Sequence, residues 1–354
     1  MIPGIRYFFY ERYKDMHLEE QSFDVFQRFY GMEQLLRALE LKPGAQILDI
    51  GGYPGTFADY IKKALPGVNL VTLDQPQCQR GDYIRGSADA LPFAKGSFDV
   101  VLSSDTLEHL SASRRVPAII EMIRASRRWV ILGAPFFHPC VELAEKSINA
   151  LHEKCLANPN PWLKEHIENR LPKKDEALKI LEHSGCEVAI FPNGSVVSWY
   201  ILEAAQILLD TFPYLSPVKP SLSLAFNKYW AKQDDCEPAY RHIILADKTG
   251  KLPDQAKSLI KDFPEEESEP VIQKLTSLQE IAEQIAKTAL STFSDQEKAE
   301  EILSRGYIGK LEEILSFQKQ EMENLQSKLN EKERHLKRLQ SSPLFRLLSK
   351  LGFF

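Results

Sequence analysis

Apolar runs of strand length recur along the first two thirds of the chain, and each of the first four is followed by a segment with helical patterning. These four runs cover residues 46–50, 68–73, 98–103 and 129–134. Strands that alternate with helices predict a doubly wound α/β fold, in which helices cover both faces of a mostly parallel sheet. Two later runs, at 186–191 and 241–246, predict further strands. We therefore expect one α/β domain over residues 46–250.

Two segments outside this alternation are helical in pattern and rich in aromatic residues. Residues 1–45 predict an N-terminal helical cap, which packs on the sheet, closes as a lid over a ligand, or does both. Residues 199–232 predict a helical, proline-bearing insertion on the acceptor side of the domain. The insertion either packs against neighbouring helices or forms part of a substrate pocket.

The last hundred residues differ in composition from the domain. Residues 251–270 are predicted to be an acidic linker, and residues 271–340 a helical region. Between 311 and 339, nine seam positions follow one another in alternating steps of four and three, and seven of them are apolar. This heptad pattern predicts a coiled coil and a homo-oligomer, or else a long helix folded back on the domain. The tail at 341–354 is basic and amphipathic, so it suits a membrane surface, a partner protein or the chain itself.

A turn with three glycines joins the first strand to the first helix of the domain. Asp49 is followed by Ile-Gly-Gly-Tyr-Pro-Gly, and Thr56 opens the helix. Glycines let a ligand approach the backbone closely, and the helix N-terminus offers unpaired N–H groups, so the pattern predicts a nucleotide site. The second strand ends in Asp74, whose carboxylate can accept hydrogen bonds from both hydroxyls of a ribose. The glycines do not fit the Gly-x-Gly-x-x-Gly spacing of the dinucleotide fingerprint.

This turn, Asp74 and two later segments resemble the motifs of the class I S-adenosylmethionine-dependent methyltransferases, in particular the methyltransferase type 11 group. The later segments are Gly-Ser-Ala-Asp-Ala-Leu-Pro-Phe at 86–93 and Ser-Phe-Asp-Val-Val-Leu-Ser-Ser-Asp-Thr-Leu-Glu-His-Leu at 97–110. The resemblance implies a seven-stranded Rossmann-like sheet and S-adenosyl-L-methionine as the cofactor. The cofactor residues that it implies are Asp49, Gly51, Gly52, Tyr53, Gly55, Asp74, Asp89 and Ser104.

The same resemblance suggests individual roles. Asp74 is expected to bind the ribose, and Asp89 the amino group of adenine. Tyr53 stands where the family's first motif has its middle glycine, so the loop departs from the family pattern at this position.

A hydroxyl that accepts a methyl group benefits from a base, which we expect near the carboxyl ends of the strands. His109 and His138 follow the fourth and fifth strand runs, and with Asp105 they are the predicted catalytic residues. Alternative roles are structural. Asp105 and Glu108 have the spacing of a helix capping box, and His109 suits a hydrogen bond at a helix start.

Further polar residues receive a different prediction. Glu165 and His166 are expected on a solvated helix face. The alternative is that their segment, residues 162–166, closes over the pocket. No metal site is predicted, because candidate ligands such as Asp105, Glu108 and Glu142 are not clustered along the sequence.

Composition narrows the functional classes. The net charge of −5 argues against nucleic acid as a partner, and the five cysteines are scattered singly, as in proteins of a reducing cytoplasm. We expect a cytoplasmic location, with a peripheral contact at the inner membrane face if the tail binds lipid.

Three hypotheses for function follow. The first is methyl transfer to a sugar hydroxyl of a surface-glycan precursor, because the coiled coil and tail look like those of enzymes in bacterial surface-polysaccharide assembly. The second is methyl transfer to a lipid or quinone-type small molecule. The third is a non-catalytic coiled-coil scaffold that retains the fold.

Overall fold

The computed structural model describes residues 17–212, 215–260 and 268–293. Met1–Ala286 forms one compact unit and Lys287–Phe354 a second, and the fold given below is that of the first unit. The aromatic residues at 7–13, the predicted coiled coil at 311–339 and the tail at 341–354 lie outside the described residues.

A sheet of seven strands lies at the centre of the described part of the chain and confirms the predicted α/β class. The strands are β1 (Gln46–Ile50), β2 (Asn69–Asp74), β3 (Tyr83–Arg85), β4 (Phe98–Ser104), β5 (Ser126–Ala134), β6 (Glu187–Ser195) and β7 (Ala239–Asp247). Their order across the sheet is β3-β2-β1-β4-β5-β7-β6. β7 is antiparallel to β5 and β6, and the other neighbouring pairs are parallel. The six strands predicted individually are present, and the short β3 is the one that the apolar pattern did not indicate.

Helices of the described residues alternate with these strands. They are α1 (Phe23–Ala38), α2 (Thr56–Ala64), α3 (Ala112–Ala125), α4 (Pro139–Leu156), α5 (Pro161–Asn169), α6 (Lys174–His183), α7 (Val196–Thr211), α8 (Lys219–Tyr229), α9 (Asp254–Ser258) and α10 (Ser268–Phe293). Short 3₁₀ helices lie at Leu18–Glu20, Leu107–His109, Ser216–Val218 and Ala231–Gln233. None of the described helices is both long enough and apolar enough to span a bilayer.

Side chains of each strand alternate between two apolar layers. In β1, Ile47 packs with α1, α2 and α9 on one face, whereas its neighbour Leu48 packs with α3 and α6 on the other. Both side chains are fully buried. The period of two in the strands therefore places helices on both faces, as the sequence predicted.

A third apolar cluster is built mainly from helices and includes Tyr240 of β7. It joins the start of α1 to α4, α5, α7, α8 and α10. Val271 and Ala286 of α10 are completely buried in it. Apolar positions of α9 and α10 thus contribute to the core of the first unit beyond residue 250. Leu252 and Ala256, which were expected in an acidic linker, are also buried, because apolar positions in α9 and α10 complete the core of the domain.

The sheet order reverses beside β1. From β1 the chain builds outward to β2 and β3, and then returns to place β4 on the other side of β1. In doubly wound sheets, such a switch point leaves a crevice at the carboxyl ends of the strands, where ligands bind. The turn after β1 and the segment after β4 border this crevice.

Candidate functional site

A cavity of about 750 Å³ opens at this switch point. Its described lining joins the turn after β1, the end of β2, the segment after β4, and helices α1, α5 and α7 to the start of β7. Three of the predicted cofactor residues line the cavity at one end, namely Gly51, Tyr53 and Asp74. Two of the predicted catalytic residues, Asp105 and His109, line it as well. One cavity therefore contains the predicted cofactor side and the predicted acceptor side.

Glycine is required at two positions of the turn after β1. Gly51 has φ +81, and a Cβ there would lie 2.1 Å from Oγ1 of Thr106. A Cβ on Gly52 would lie 1.9 Å from a carboxylate oxygen of Asp49. The N–H of Gly51 donates to the carbonyl of Leu73 at 2.8 Å, which ties the turn to β2. The turn is therefore held close to both neighbouring strands, and Gly55 caps α2 with φ +99.

Asp74 is linked to the turn by its own carboxylate. Oδ2 accepts the backbone N–H of Tyr53 at 3.0 Å, and Oδ1 accepts the N–H of Gln75 at 2.7 Å. The Tyr53 ring meets the ring of Tyr83 edge to face. The residue that replaces the middle glycine of the family motif therefore uses its backbone to hold the predicted ribose-binding carboxylate.

Asp49 lies beneath the turn, with 2% of its surface exposed. Its Oδ2 has no hydrogen-bond partner within the part of the chain that the structure describes. Burial, together with the negative charge of Asp74, raises the pKa of Asp49 to about 7. The carboxyl group is therefore close to half-ionised at neutral pH, and a cation that approached it would favour the ionised form.

Asp89 has a charged partner in the structure. Nε and Nη2 of Arg114 donate to its two carboxylate oxygens at 2.7 and 2.8 Å, and Ser87 also bonds to it. This bidentate pair lowers the pKa of Asp89 below its usual range. Arg114, which the sequence analysis did not single out, is among the residues that line the cavity. The buried Oγ of Ser104 has no partner among the described residues, so its predicted contact with the cofactor stays a prediction.

Asp105 pairs with an arginine, so the predicted capping box is wrong. Nε and Nη2 of Arg241 donate to its two oxygens at 2.6 Å each, and Nη2 also reaches Asp24 at 2.9 Å. Arg28 lies 3.2 Å from Asp24 and 3.4 Å from Asp105. The local reason is the backbone, because Asp105 has φ +50 and the chain continues as a single 3₁₀ turn, not as an α-helix.

Glu108 is completely buried at the cavity, and neither carboxylate oxygen has a hydrogen-bond partner among the described residues. Burial and the negative charge of Asp105 raise the pKa of Glu108 well above its usual range. Its carboxylate lies beside the rings of His109 and His166. One ligand atom from each of the three residues lies within 4.8 Å of the other two. This is a group that can hold a metal ion.

The two histidines are each oriented by a carboxylate. Nδ1 of His109 lies 2.9 Å from Glu165, and Nδ1 of His166 lies 2.9 Å from Glu145. A carboxylate accepts, so in a neutral ring Nδ1 would carry the proton and Nε2 would be the nitrogen free to accept a hydrogen bond or bind a metal. Burial lowers the pKa of His109, and His166 beside it contributes in the same direction, which keeps the ring neutral near pH 7.

His166 departs from its prediction. It is 5% exposed and lines the cavity, whereas a solvated helix face was expected for it. The local reason is that α5 directs Leu163 and His166, three positions apart, to its buried side. In the sequence, the signal for the burial of His166 was its helical spacing from the apolar Leu163.

His138 lies away from the described lining of the cavity. Its Nδ1 accepts the N–H of Cys140 at 3.2 Å and caps α4. This placement gives no support to the predicted catalytic role, and it provides a structural reason for the residue.

Several other lining residues were not predicted from sequence as site residues. They include Arg28, Glu203, Tyr240 and Arg241. Burial raises the pKa of Glu203 to about 8. The Tyr240 ring stacks on Trp199 with centroids 4.0 Å apart. Arg241 stood at the edge of an apolar strand run, and a charged residue in that position was the one signal available.

One part of this site lies in a segment that is similar to known proteins. Residues 48–129 match the family model described as a methyltransferase domain. The matched segment contains the turn after β1, Asp74, Asp89 and the cluster residues Glu108 and His109. It does not reach His166, Glu203 or Arg241, which also line the cavity.

Curated relatives match the same region. An uncharacterized methyltransferase of Mycobacterium sp. (strain JLS) is 38% identical over 100 residues, which are 25% of this chain and 38% of that protein. A demethylmenaquinone methyltransferase of Beutenbergia cavernae is 33% identical over 137 residues, 32% of this chain and 55% of that protein. The chain thus spans little more than a third of the first relative and about half of the second. Among solved structures, phosphoethanolamine N-methyltransferase 2 of Haemonchus contortus, in complex with S-adenosyl-L-methionine, is 17% identical with a TM-score of 0.40 over 62% of this chain and 51% of that one.

Proposed function

We propose that this protein is a methyltransferase that uses S-adenosyl-L-methionine and acts on a polar, hydroxyl-bearing small molecule. The observation that carries the proposal is a single cavity with two chemically distinct ends. One end is bordered by the glycine turn and Asp74, within the segment that matches methyltransferase domains. The other end is bordered by buried charged residues and histidines.

The cofactor belongs at the turn after β1. The backbone of Gly51 and Tyr53 would border it, and Asp74 would accept hydrogen bonds from the ribose hydroxyls. Asp89 would meet the adenine amino group, with Arg114 holding its carboxylate. Asp49 supports the turn from below, and its unpartnered oxygen suits the positive charge that the cofactor carries.

The reaction is a direct displacement. The bond from the methyl carbon to the sulfonium sulfur breaks as a bond to the acceptor oxygen forms, and S-adenosylhomocysteine leaves. The hydroxyl group must lose its proton, and the protein's contribution is alignment and help with that proton. Asp105 is a poor candidate for a base because Arg241 occupies both of its oxygens. The task falls to the group of Glu108, His109 and His166.

The lining of the acceptor side favours a polar acceptor. Arg28 offers a guanidinium group and Glu203 a carboxyl group whose raised pKa lets it donate as well as accept, and the stacked rings of Trp199 and Tyr240 add an aromatic part to the lining. Such a combination suits a sugar, which has hydroxyls at its edge and apolar C–H groups on its face. A sugar hydroxyl of a surface-glycan precursor is therefore our first candidate, and the predicted homo-oligomer at 311–339 and membrane-binding tail belong to the same hypothesis.

A quinone-type acceptor is the second candidate. It is favoured by the similarity to a demethylmenaquinone methyltransferase, although the match to that protein covers mainly the cofactor half of the domain. The exposed ring of Trp162 at the cavity, 62% accessible, would suit an apolar molecule entering from a membrane.

Calorimetry with the full chain tests the cofactor. We expect saturable binding of one S-adenosylmethionine and of one S-adenosylhomocysteine per chain. A folded protein that ignores both at millimolar concentration would favour the scaffold hypothesis and end the proposal. Mass spectrometry of mixtures with nucleotide sugars and with demethylated quinols, each at equal concentration, then separates the two acceptor classes by which of them gains a methyl group.

A further inference from the structure

Within the described residues, no cation forms a hydrogen bond or an ion pair with Glu108 of the group Glu108, His109 and His166. Two arginines lie close enough to be candidates. Arg241 gives its strongest hydrogen bonds to Asp105 and Asp24, and Arg115 donates to the carbonyl oxygens of Leu107 and Leu110. Neither forms a hydrogen bond with Glu108, whose two oxygens have no partner among the described residues. A completely buried carboxyl group in that state either holds a proton or binds a cation, because an unpaired buried carboxylate is costly.

The two histidines are set as metal ligands commonly are. Each Nδ1 is placed to donate to a carboxylate, which fixes the tautomer of the neutral ring and leaves Nε2 as the nitrogen available to a metal ion. The Nε2 atom of His166 is buried and, like the Glu108 oxygens, has no partner in the described ranges. Glu145, which orients this ring, also accepts the Tyr240 hydroxyl at 3.0 Å and is 2% exposed. Buried polar atoms of Glu108 and of His166 thus both lack a partner in the described part of the chain, and the two residues belong to one group.

The spacing of the three atoms fits a common ion. They lie within 4.8 Å of one another, and ligands at about 2.0–2.2 Å around a tetrahedral ion are roughly 3.5 Å apart. The three side chains would therefore move closer together when an ion binds. The group borders the cavity, so further coordination positions face the space proposed for the acceptor.

We propose that Glu108, His109 and His166 bind one divalent transition-metal ion, with open coordination positions toward the acceptor side of the cavity. Two imidazoles and a carboxylate favour Zn²⁺, Co²⁺, Mn²⁺ or Fe²⁺ over Mg²⁺, which prefers oxygen ligands and its own water. This binding does not depend on the proposed methyl transfer. The ion's role does rest on it: a bound acceptor hydroxyl would have a lower pKa, and His109 would serve as a ligand and not as a base.

The site was not predicted from sequence because its ligands come from two distant elements. Glu108 and His109 lie on the 3₁₀ helix after β4, and His166 lies on α5. The prediction of no metal considered carboxylates alone. It is the contact between these two elements that brings an imidazole of α5 to the earlier Glu-His pair.

The test uses the full chain stripped with a chelator and titrated with Co²⁺, whose visible absorption reports coordination by nitrogen. We expect one Co²⁺ per chain, displaced by Zn²⁺ and unaffected by equimolar Mg²⁺. His166→Gln and Glu108→Gln should each weaken binding at least tenfold, and Glu145→Gln, which acts through His166, by about 10–100-fold. His183→Gln is the matched control, since that histidine is exposed and hydrogen-bonded to the carbonyl of Lys179.

S-adenosylmethionine binding is measured on the same samples and shows that each variant is folded. Because it tests the cofactor and not the metal, it also distinguishes a failure of the proposed methyl transfer from a failure of the metal site. Absence of saturable Co²⁺ binding by the folded chain, or binding that His166→Gln and Glu108→Gln leave intact, overturns the metal site whether or not the cofactor binds. If the ion binds but the stripped protein methylates its acceptor at the full rate, its role at the acceptor is overturned and His109 is the base.

Discussion

Arg241 and Asp105 form a two-point ion pair that joins the start of β7 to the segment after β4. Nε–Oδ1 and Nη2–Oδ2 are both 2.6 Å, and Arg241 is 1% exposed. Removing one member of a buried ion pair destabilises the protein, because the remaining charge has neither water nor a partner. The pair also holds Asp105 at its positive φ, directly before Thr106 and Glu108 of the cavity. It therefore fixes the floor of the acceptor side.

Arg241→Met should destabilise the protein by about 3–5 kcal/mol, because it leaves Asp105 and Asp24 near each other without their shared cation. The measurement is the free energy of unfolding in urea. Adding Asp105→Asn to this variant should recover part of the lost free energy of unfolding, because it removes one of the two carboxylates left without a cation. Lys173→Met is the control. Its ion pair with Glu176 is exposed on both sides, and its loss should change stability by no more than about 0.5 kcal/mol. Equal losses of stability in Arg241→Met and Lys173→Met would contradict the stabilising role of the Arg241–Asp105 pair.

Gly51→Ala should weaken S-adenosylmethionine binding at least tenfold and cost roughly 1–3 kcal/mol of stability. The added methyl group both requires a strained φ and meets Oγ1 of Thr106. Calorimetry and urea unfolding measure the two effects. Thr106→Ala in the same chain should restore part of the affinity, because it removes the atom in collision. Gly81→Ala is the control, since a Cβ there has no neighbour within 4 Å among the described residues.

Asp74→Ala should raise the Kd for S-adenosylmethionine by about 10–100-fold. The ribose loses a charged acceptor, which is worth roughly 1.5–3 kcal/mol, and the N–H of Tyr53 loses its partner. Asp74→Asn keeps one acceptor oxygen and should lose less. Calorimetry makes the comparison, with the exposed Asp175→Ala as the reference. An affinity equal to that of the reference would show that Asp74 does not bind the ribose.

Asp49 should make the cofactor-free protein less stable as the pH rises. Its pKa is about 7 in the folded state against an ordinary value of 3.8, so the folded state binds more protons in that interval. The stabilising contribution is full below about pH 4, declines by up to about 1.4 kcal/mol per pH unit, and is lost above about pH 7. Asp49→Asn should flatten the difference between unfolding curves at pH 5 and pH 7, whereas Asp175→Asn should leave it unchanged. A wild-type slope retained in Asp49→Asn would refute the assignment.

The heptad prediction is tested by charge at the seam. Leu325→Glu with Leu329→Glu should convert the predicted oligomer into a monomer, because two seam positions one turn apart would become charged. Light scattering after gel filtration gives the mass. Glu substitutions at the flanking Gln326 and Lys328 alter the charge off the seam and should leave the mass unchanged. A wild-type chain that is itself monomeric would refute the predicted association.

The cofactor side could be predicted because it is local in sequence. A strand, a glycine turn and a helix start follow one another within a dozen residues, and the side chains needed there are dictated by backbone geometry at Gly51 and by the strand end at Asp74. The apolar runs gave six of the seven strands for the same reason, since each run has to fill a layer on both sides of a buried sheet.

The acceptor side required the tertiary structure. Arg241 reaches Asp105 from more than a hundred residues away, and His166 meets Glu108 only because α5 packs on the turn after β4. A capping box and a solvated helix face were each reasonable from neighbouring residues, but in the structure Asp105 pairs with Arg241 and His166 is buried beside Glu145. The sequence by itself determined the layers of the fold and the glycine turn, because those depend on local period and backbone conformation. Which buried charges pair, and which remain unpaired, was decided only by folding, because electrostatic partners are chosen by distance in space and not along the chain.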